Sequence, residues 1–242
     1  MKLGLISDIH ANLEALNAVL EDLKKYKVDK IFCLGDVIGY GCDPIECLRL
    51  VNENCDLKLM GNHEFAAMGL MPSSHLNEIA RESLEWTRQN IGDREMAIIS
   101  DFELNATYEN MFFVHSSPYE PENWHYVLSM SEAQAAFENF SEKICFLGHT
   151  HIPVIFSLSP EGRLRQTAGH DFLPSDENRY LVNIGSVGQP RDNDPKACYL
   201  VFDTEEWSVS FNRTGYDIGK TQEKMSRAKI PSMLIDRLST GR

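Results

Sequence analysis

Five apolar runs of this sequence are each followed directly by a short polar segment rich in aspartate, histidine or asparagine. Each apolar run is typical of a buried strand, so each polar segment lies where a strand ends and a loop begins. The strand ends of an α/β sheet are where such folds bind ligands. The polar side chains placed in this way are Asp8, His10, Asp36, Asn62, His63, His115, His149 and His151.

These side chains offer carboxylate, imidazole and amide groups but no thiolate, which suits Mn, Fe, Zn, Co or Ni better than Ca or Mg. Asp8 and His10 are two residues apart, so on an extended segment they project to the same side. His149 and His151 repeat this spacing. The carboxylate of Asp36 can bridge two ions. The pattern therefore predicts a site for two divalent transition-metal ions.

Strands alternate with helices in the first half of the chain, which indicates parallel pairing through right-handed crossovers. The predicted strands are 3–7, 30–34 and 57–60, and the predicted helices are 12–26 and 44–53. Residues 64–99 are helix-rich in pattern and lie between two of the polar segments. They are predicted to form a helical insertion near the site.

The second half of the chain is dominated by short strands, which predicts a second, more antiparallel sheet packed on the first. These strands are predicted at 103–108, 111–115, 144–147, 153–158, 163–168, 180–184, 197–203 and 207–213, with one helix at 131–140. Hairpin turns are predicted at Gly162 and at Glu205–Glu206. Residues 216–242 are predicted to form a C-terminal helical appendage to a single domain of residues 1–215.

Composition excludes several classes of protein. The net charge of −13 over 242 residues disfavours a long nucleic acid as partner. No apolar stretch approaches the roughly 18 residues of a membrane span, and the N-terminal apolar run ends in the polar Asp8–His10 segment, unlike a signal peptide. Six cysteines without a Cys-x-x-Cys pair indicate reduced thiols in a cytoplasmic protein.

The ordered motifs resemble the calcineurin-like metallophosphoesterase superfamily. They read SDIH at 7–10, GD at 35–36, GNHE at 61–64, VHSSP at 114–118 and GHTH at 148–151. The stretches SDIHANLEAL, GDVIGYG and NIGSVGQPRD are most similar to small prokaryotic phosphodiesterases and diadenosine tetraphosphatase-like proteins. The resemblance implies an α/β fold, namely a four-layer α/β/β/α sandwich of two mixed sheets with the metals at the strand ends.

The resemblance also implies a role for each polar residue. The ligands of one metal would be Asp8, His10, Asp36 and His151, and those of the other Asp36, Asn62, His115 and His149. His63 would be the catalytic residue, as a general acid or a charge stabiliser near the substrate phosphate. A hydroxide shared by the two ions would attack phosphorus in line with the leaving oxygen.

One departure from the superfamily bears on the substrate. Its Ser/Thr protein phosphatases carry G-D-x-x-D-R-G, whereas this chain has Gly39 and Tyr40 in place of the second aspartate and the arginine. The chain therefore lacks a carboxylate expected to orient the catalytic histidine and an arginine expected to grip phosphate. This difference favours small phosphodiesters over phosphoproteins.

Three further residues are candidates for binding substrate. Tyr40 would stack on a nucleobase or pack on its own loop. Arg191 would clamp a substrate phosphate, because its planar fork matches phosphate geometry, or pair with Asp192 or Asp194 at the surface. Asn12 would hydrogen-bond near the metals or only cap the following helix.

The leading hypothesis is hydrolysis of small phosphodiesters, such as dinucleoside polyphosphates or cyclic nucleotides. The alternatives are a protein or small-molecule phosphomonoesterase and a non-catalytic scaffold. The remaining histidines, His75, His125 and His170, are predicted to lie at the surface.

Overall fold

A computed structural model describes residues 1–72 and 78–242 of the chain. The prediction for His75 falls outside the described residues. Over these two ranges, every helix is too short or too polar to cross a membrane.

The first sheet is mixed and has five strands in the order β11-β10-β1-β2-β3. Its strands are β1 (Lys2–Ile6), β2 (Lys30–Cys33), β3 (Leu57–Lys58), β10 (Ala197–Asp203) and β11 (Ser208–Thr214). β1, β2 and β3 pair in parallel, whereas β10 pairs antiparallel with both β1 and β11. The parallel half confirms the predicted βαβ alternation.

The second sheet is also mixed and has six strands in the order β4-β5-β6-β9-β7-β8. Its strands are β4 (Asn105–Tyr108), β5 (Met111–Val114), β6 (Ile144–Leu147), β7 (Val154–Leu158), β8 (Leu164–Ala168) and β9 (Arg179–Asn183). β5, β6 and β9 run parallel, so their carboxyl ends meet at one edge. The other pairings in this sheet are antiparallel.

The two sheets pack face to face, with helices on their outer faces. Leu3 and Leu5 of β1 point inward, as does Phe146 of β6, into a core shared by both sheets. Ile6 of β1 belongs to a second core under the helices of the first sheet, because alternate strand residues face opposite sides. A third core joins Cys145 to a helix on the second sheet. Three cores between four layers confirm the α/β/β/α sandwich.

Eight α-helices are described. They are α1 (Leu13–Tyr26), α2 (Pro44–Asn54), α3 (Asn62–Ala67), α4 (Glu78–Asn90), α5 (Asp93–Ser100), α6 (Met130–Phe137), α7 (Ile218–Arg227) and α8 (Ser232–Asp236). Leu84 of α4 and Ile99 of α5 enter the same core as Leu48 of α2. The helices of the 64–99 stretch therefore extend the helical layer of the first sheet.

The C-terminal segment, defined as residues 216–242, packs beside the start of α1. Lys224 of α7 forms ion pairs with Glu14 at 3.1 Å and with Asp43 at 2.5 Å. Leu234 and Leu238 are buried in a small cluster that also contacts Tyr40. The division of the chain at residue 215 stays a prediction.

Small differences from the predicted elements have local causes. The third strand was predicted over 57–60, but β3 ends at Lys58. Leu59 N–H still donates to Cys33 O of β2 at 2.8 Å, and Leu59 forms an isolated bridge with Glu103. All six cysteines are free, as predicted. Five of them are buried, and Cys42 is half-buried.

Candidate metal centre

The backbone at the strand ends adopts a conformation that the sequence did not suggest. Seven non-glycine residues there have positive φ angles between 49° and 66°, namely Asp8, His10, Ala11, Asp36, Tyr40, His149 and His151. Such residues cost on the order of 1–3 kcal/mol each and cluster at functional sites. The prediction that Asp8 and His10 share a side because their segment is extended is wrong. The left-handed turns bring His10 Nε2 to 3.9 Å from Asp8 Oδ1 instead.

Hydrogen bonds between loops hold these strained residues. The loop after β1 lies against the loop after β2, where Asp8 N–H donates to Gly35 O at 3.0 Å and His10 N–H donates to Asp36 O at 2.9 Å. From the other side, the Ser186 hydroxyl and Gly188 N–H both donate to Asp8 O. Strained backbone persists only where its surroundings over-determine it in this way.

Three groups of buried side chains bring their ligand atoms within 4.8 Å of one another. They are Asp8 with His10 and His151, His10 with Asp36 and His63, and Asp36 with His115 and His149. Carboxylate and imidazole groups from strand ends on different sheets also meet: His151 Nε2 lies 3.3 Å from Asp8 Oδ1, and His115 Nε2 lies 3.3 Å from Asp36 Oδ2. Because Asp36 and His10 each belong to two groups, the three groups form one continuous cluster.

The imidazole rings are oriented by main-chain carbonyls. In each case one ring N–H donates to a carbonyl: His10 to Ile38 O (3.2 Å), His115 to Leu34 O (2.8 Å), His149 to Trp124 O (3.0 Å) and His151 to Gln189 O (2.6 Å). Metal-binding histidines use such a bond to fix the ring and the tautomer. In the neutral form of each ring, the second nitrogen is thereby left as a lone-pair donor.

The residues present fit positively charged ions at this place. His10 Nε2 and His151 Nε2 lie 3.1 Å apart, and their lone pairs face each other because the opposite ring nitrogens donate to carbonyls. Among the described residues, Asn62 Oδ1 and His115 Nε2 are buried without a hydrogen-bond partner. Buried polar atoms are nearly always partnered, so this donor set indicates a metal centre.

The aspartates also connect the two sheets at the centre. His149 N–H donates to both Asp8 carboxylate oxygens, at 3.1 and 3.0 Å. His63 N–H donates to Asp36 Oδ1 at 3.0 Å. Gly61 leaves room for that carboxylate, because a Cβ there would lie 2.1 Å from Asp36 Oδ1.

The electrostatics of the centre favour cations. Burial tends to raise the pKa of Asp36, but His115 and His63 outweigh it and hold that pKa well below its usual value. Burial tends to lower the pKa of His115, but Asp36 and Asp8 raise it to about 9. Burial and the nearby His115 lower the pKa of His149 to about 3. The cluster thus holds ionised carboxylates beside mostly neutral imidazoles.

Glu64 is a residue whose role sequence reasoning missed. Its buried carboxylate accepts the N–H groups of Asp36, Ile38 and Gly61, at 2.9, 3.0 and 2.9 Å. Burial and the charge of Asp36 raise its pKa to about 7. The signal was present, because a glutamate at the third position of α3 is typical of a capping residue. Glu64 fixes the loop that carries Asp36 against α3.

His63 and Tyr40 lie against each other at the centre. The ring of His63 is 4.4 Å from that of Tyr40 and 4.9 Å from that of His10. A Cβ on Gly39 would lie 2.0 Å from His63 Nδ1, so the aspartate that protein phosphatases carry at this position would clash with the ring. Tyr40 also packs on the C-terminal cluster. Tyr40 also lines the cleft beside the centre, so stacking of a nucleobase on its ring stays a prediction.

Arg191 and Asn12 lie near the centre in different settings. The Cζ of Arg191 is 5.9 Å from the centre of the Tyr40 ring, and its Nη2 donates to Gln189 Oε1 at 3.1 Å. Asn12 accepts from Ala15 N–H as the cap of α1 and donates to Gly188 O at 2.9 Å. Both polar atoms of the Asn12 amide thus hold the scaffold, and substrate contact by Asn12 stays a prediction.

A cleft of about 470 Å³ opens beside the centre. It is lined by Asn62 and His149 on the metal side and by Phe65, Trp124 and Tyr126 on the other. The Tyr126 ring stacks on His149, with centroids 4.2 Å apart, and is 47% exposed. Sequence reasoning missed this aromatic wall, because its residues come from segments that carry no motif.

The two remaining described histidines are exposed. His125 lies 3.4 Å from Glu120, and His170 donates to Ala168 O at 2.7 Å. Neither belongs to the groups that could hold a metal.

Comparisons with known proteins agree with this geometry. A model of the calcineurin-like phosphoesterase superfamily domain matches residues 1–207. An uncharacterized protein of Methanocaldococcus jannaschii is 39% identical over 245 residues, which cover 99% of this chain and 98% of that protein. The crystal structure of a metallophosphoesterase from Sphaerobacter thermophilus has a TM-score of 0.88 and 34% identity, with 100% of each chain covered. A hypothetical protein from Pyrococcus horikoshii OT3, at 18% identity, shares the fold with a TM-score of 0.80, covering 100% of this chain and 98% of its own. The chain therefore belongs to the calcineurin-like phosphoesterase superfamily.

Proposed function

We propose that this protein is a phosphoesterase that uses two divalent transition-metal ions to hydrolyse small phosphodiesters. The observation that carries the proposal is the sharing of Asp36 between two groups of potential ligands. A carboxylate with that position can serve two ions at once. Membership of the superfamily supports the general reaction, and the donor set supports Mn, Fe, Zn, Co or Ni as the metal.

The proposed ligands extend two of the observed groups, Asp8 with His10 and His151 and Asp36 with His115 and His149. Asp36 is added to the first set because its Oδ2 lies 3.7 Å from His10 Nε2. Asp8, His10, Asp36 and His151 would hold one ion, and Asp36, Asn62, His115 and His149 would hold the other. When bound, a pair of divalent ions supplies an activated water and offsets the charge on the phosphoryl oxygens. Asn62 is included because its buried Oδ1 lacks a partner among the described residues.

Protein groups supply the rest of the chemistry. His63 is buried on α3, and its N–H groups would donate to a phosphoryl oxygen or to the leaving oxygen. Asp36 is held in place by the His63 main chain and Glu64. Because the ligands are buried, the field of the two carboxylates is little screened by water.

The shape of the site supports a small phosphodiester. The cleft beside the centre has room for an organic group, and Tyr126 presents a flat, half-exposed ring to it. Aromatic side chains pack well against rings such as a nucleobase. The net charge of −13 is unsuited to a long nucleic acid. The proposed partner is therefore a small phosphorylated molecule.

Metal analysis and a substrate panel test the proposal. Purified protein is expected to contain about two transition-metal ions per chain, and chelation is expected to abolish turnover. The panel compares a bis-aryl phosphate, an aryl phosphate monoester and a diadenosine polyphosphate. Strong preference for the monoester would replace the diesterase proposal with a phosphomonoesterase.

A further inference from the structure

We propose that Arg191 and Arg237 form a second anion subsite, which binds a phosphate group of the substrate other than the one that is attacked. The favoured substrates would then carry two or more linked phosphates. This inference rests on the proposed function, which places the attacked phosphate at the metal centre. It adds a residue of the C-terminal segment to the site.

The two arginines meet on one neutral acceptor. Arg191 Nη2 and Arg237 Nη1 each donate to Gln189 Oε1 at 3.1 Å. Gln189 is only 2% exposed, and its main-chain oxygen accepts the hydrogen bond that orients His151. The main chain of Arg191 also donates to His151 O at 3.2 Å. The arginine pair is thus attached directly to a residue of the metal centre.

The carboxylates nearest in sequence do not neutralise this pair. Arg213 contacts both carboxylates: its Nη2 forms an ion pair with Asp192, and its Nε lies 4.0 Å from Asp194 Oδ2. Within residues 1–72 and 78–242, no aspartate or glutamate side chain forms an ion pair with either Arg191 or Arg237. The Nε of Arg237 donates to the main-chain oxygen of Arg242. The surface ion pair considered for Arg191 from sequence is therefore not formed.

Hydrogen-bond donors remain for a ligand. Arg191 Nε is buried and has no partner among the described residues. Burial and the like charge of Arg191 lower the pKa of Arg237. No side-chain carboxylate among the described residues pairs with these two guanidinium groups, whereas a phosphate group offers several acceptor oxygens with matching geometry.

The pair has a fixed position next to the reacting centre. Arg191 lies over the ring of Tyr40, which itself contacts His10 at 4.6 Å and His63 at 4.4 Å. Leu238, next to Arg237, is 4% exposed in the cluster that also contacts Tyr40. A substrate with linked phosphates could therefore reach the arginines from the centre without a rearrangement of the chain.

Calorimetric titration of the full-length, metal-loaded protein tests the subsite. The probes are P1,P2-dimethyl methylenediphosphonate, which has two linked phosphorus atoms and resists hydrolysis, and dimethyl phosphate, which has one. The wild type is expected to bind the first about tenfold or more tightly than the second. R237Q is expected to lose about tenfold in affinity for the two-phosphorus probe, with a much smaller change for the one-phosphorus probe.

Two further variants control the experiment. R227Q removes an exposed arginine of α7 that pairs with Glu223, and it should leave both affinities unchanged. R237K keeps the charge without the fork and should weaken the preference only in part. Thermal unfolding of each variant shows whether the C-terminal segment still packs. If R237Q does not fold, the affinities of R237K for the two probes are compared with those of the wild type instead.

The outcomes separate the subsite from the proposed function. Equal affinity of the wild type for both probes, or an unchanged preference in R237Q, would overturn the subsite even if bis-aryl phosphate is hydrolysed. Binding that depends on Arg237 in a protein that hydrolyses no member of the substrate panel would support the subsite and sink the proposed function.

Discussion

The metal centre and the arginine pair use opposite means to prepare a site for a phosphorylated ligand. The side chains of the centre are buried at the ends of strands and helices, and four imidazoles are each fixed by a main-chain carbonyl. The arginine pair depends on a single side-chain amide. Gln189 accepts a hydrogen bond from Arg191, in a loop, and another from Arg237, in the C-terminal segment.

The two regions therefore meet different structural requirements. Side chains that bind metal ions must be held at fixed distances. Loops at strand ends that several hydrogen bonds hold in place can do this. Groups that choose among substrates need complementary charge and can come from a loop or an appended segment. The family match ends at residue 207, before Arg237.

The largest effect is expected from D36N, which tests whether one carboxylate unites the centre. The loss of a shared ligand should reduce the bound metal below two ions per chain. Turnover should fall by more than about 100-fold, because loss of an outer partner of a metal ligand alone costs about 10- to 100-fold. Elemental analysis and steady-state kinetics measure both. D101N, at an exposed position, should change neither, and a fully loaded D36N enzyme would contradict the shared role.

His63→Ala separates catalysis from metal binding within the centre. The proposed hydrogen-bond donor would be lost while the ligands remain, so kcat should fall by about 100-fold with both ions retained. His125→Ala, at an exposed histidine outside the centre, serves as the matched control. Unchanged turnover with a full metal complement would remove His63 from the mechanism.

Tyr126→Ala tests the aromatic wall of the cleft. Loss of a ring that stacks on His149 should raise KM for a bis-aryl phosphate by about 3- to 10-fold, which is the size of an aromatic contact. The metal content should not change. Tyr119→Ala removes another exposed ring, which stacks on His125 outside the cleft. If both variants raise KM equally, the cleft is not the binding site of the organic group.

The smallest effect concerns the anchoring of the C-terminal segment, which carries Arg237. Burial tends to raise the pKa of Glu14, but Lys224 and Lys220 outweigh it and hold that pKa below its ordinary 4.5. Burial tends to lower the pKa of Lys224, but Asp43 and Glu14 raise it above 10.5. The pKa of Asp43 shifts the other way from that of Glu14: burial raises it, although the nearby Lys224 acts to lower it.

K224M should therefore lower the free energy of unfolding by about 1 kcal/mol near pH 7, since the pair is only partly shielded from water. The stabilisation by Glu14 is present above pH 4.5 and is lost as the pH falls through its lowered pKa. That of Lys224 is present below pH 10.5 and is lost as the pH rises through its raised pKa. Urea unfolding should show a larger difference from wild type at pH 7 than at pH 3 or pH 11. K24M, in an exposed pair with Glu21, should cost less at every pH.

The sequence was sufficient to predict the fold, because strand–helix alternation and the family resemblance both indicated it, and to predict that the polar strand ends lie together. Asp8 and Asp36 come after parallel neighbours β1 and β2, so their approach follows from topology. The left-handed backbone at His149 could not be predicted, since aspartate and histidine adopt it only where neighbouring loops enforce it. Arg237 was missed for another reason: its partner Gln189 is 48 residues away, and Arg237 itself stands in no motif.

Because most of the cysteines are buried, their reaction with a thiol reagent would report local opening of the folded protein. Cys47 lies under the helices of the first sheet, and Cys145 lies under the helix of the second. Burial raises the thiol pKa of both well above the ordinary value, so neither reacts with a thiolate-specific reagent in the closed state. Whether Cys47 or Cys145 is labelled sooner in the native protein therefore identifies the outer layer that detaches more easily. Repeating the labelling with and without metal would tell whether a ligand bound between the sheets slows the opening of one outer layer or of both.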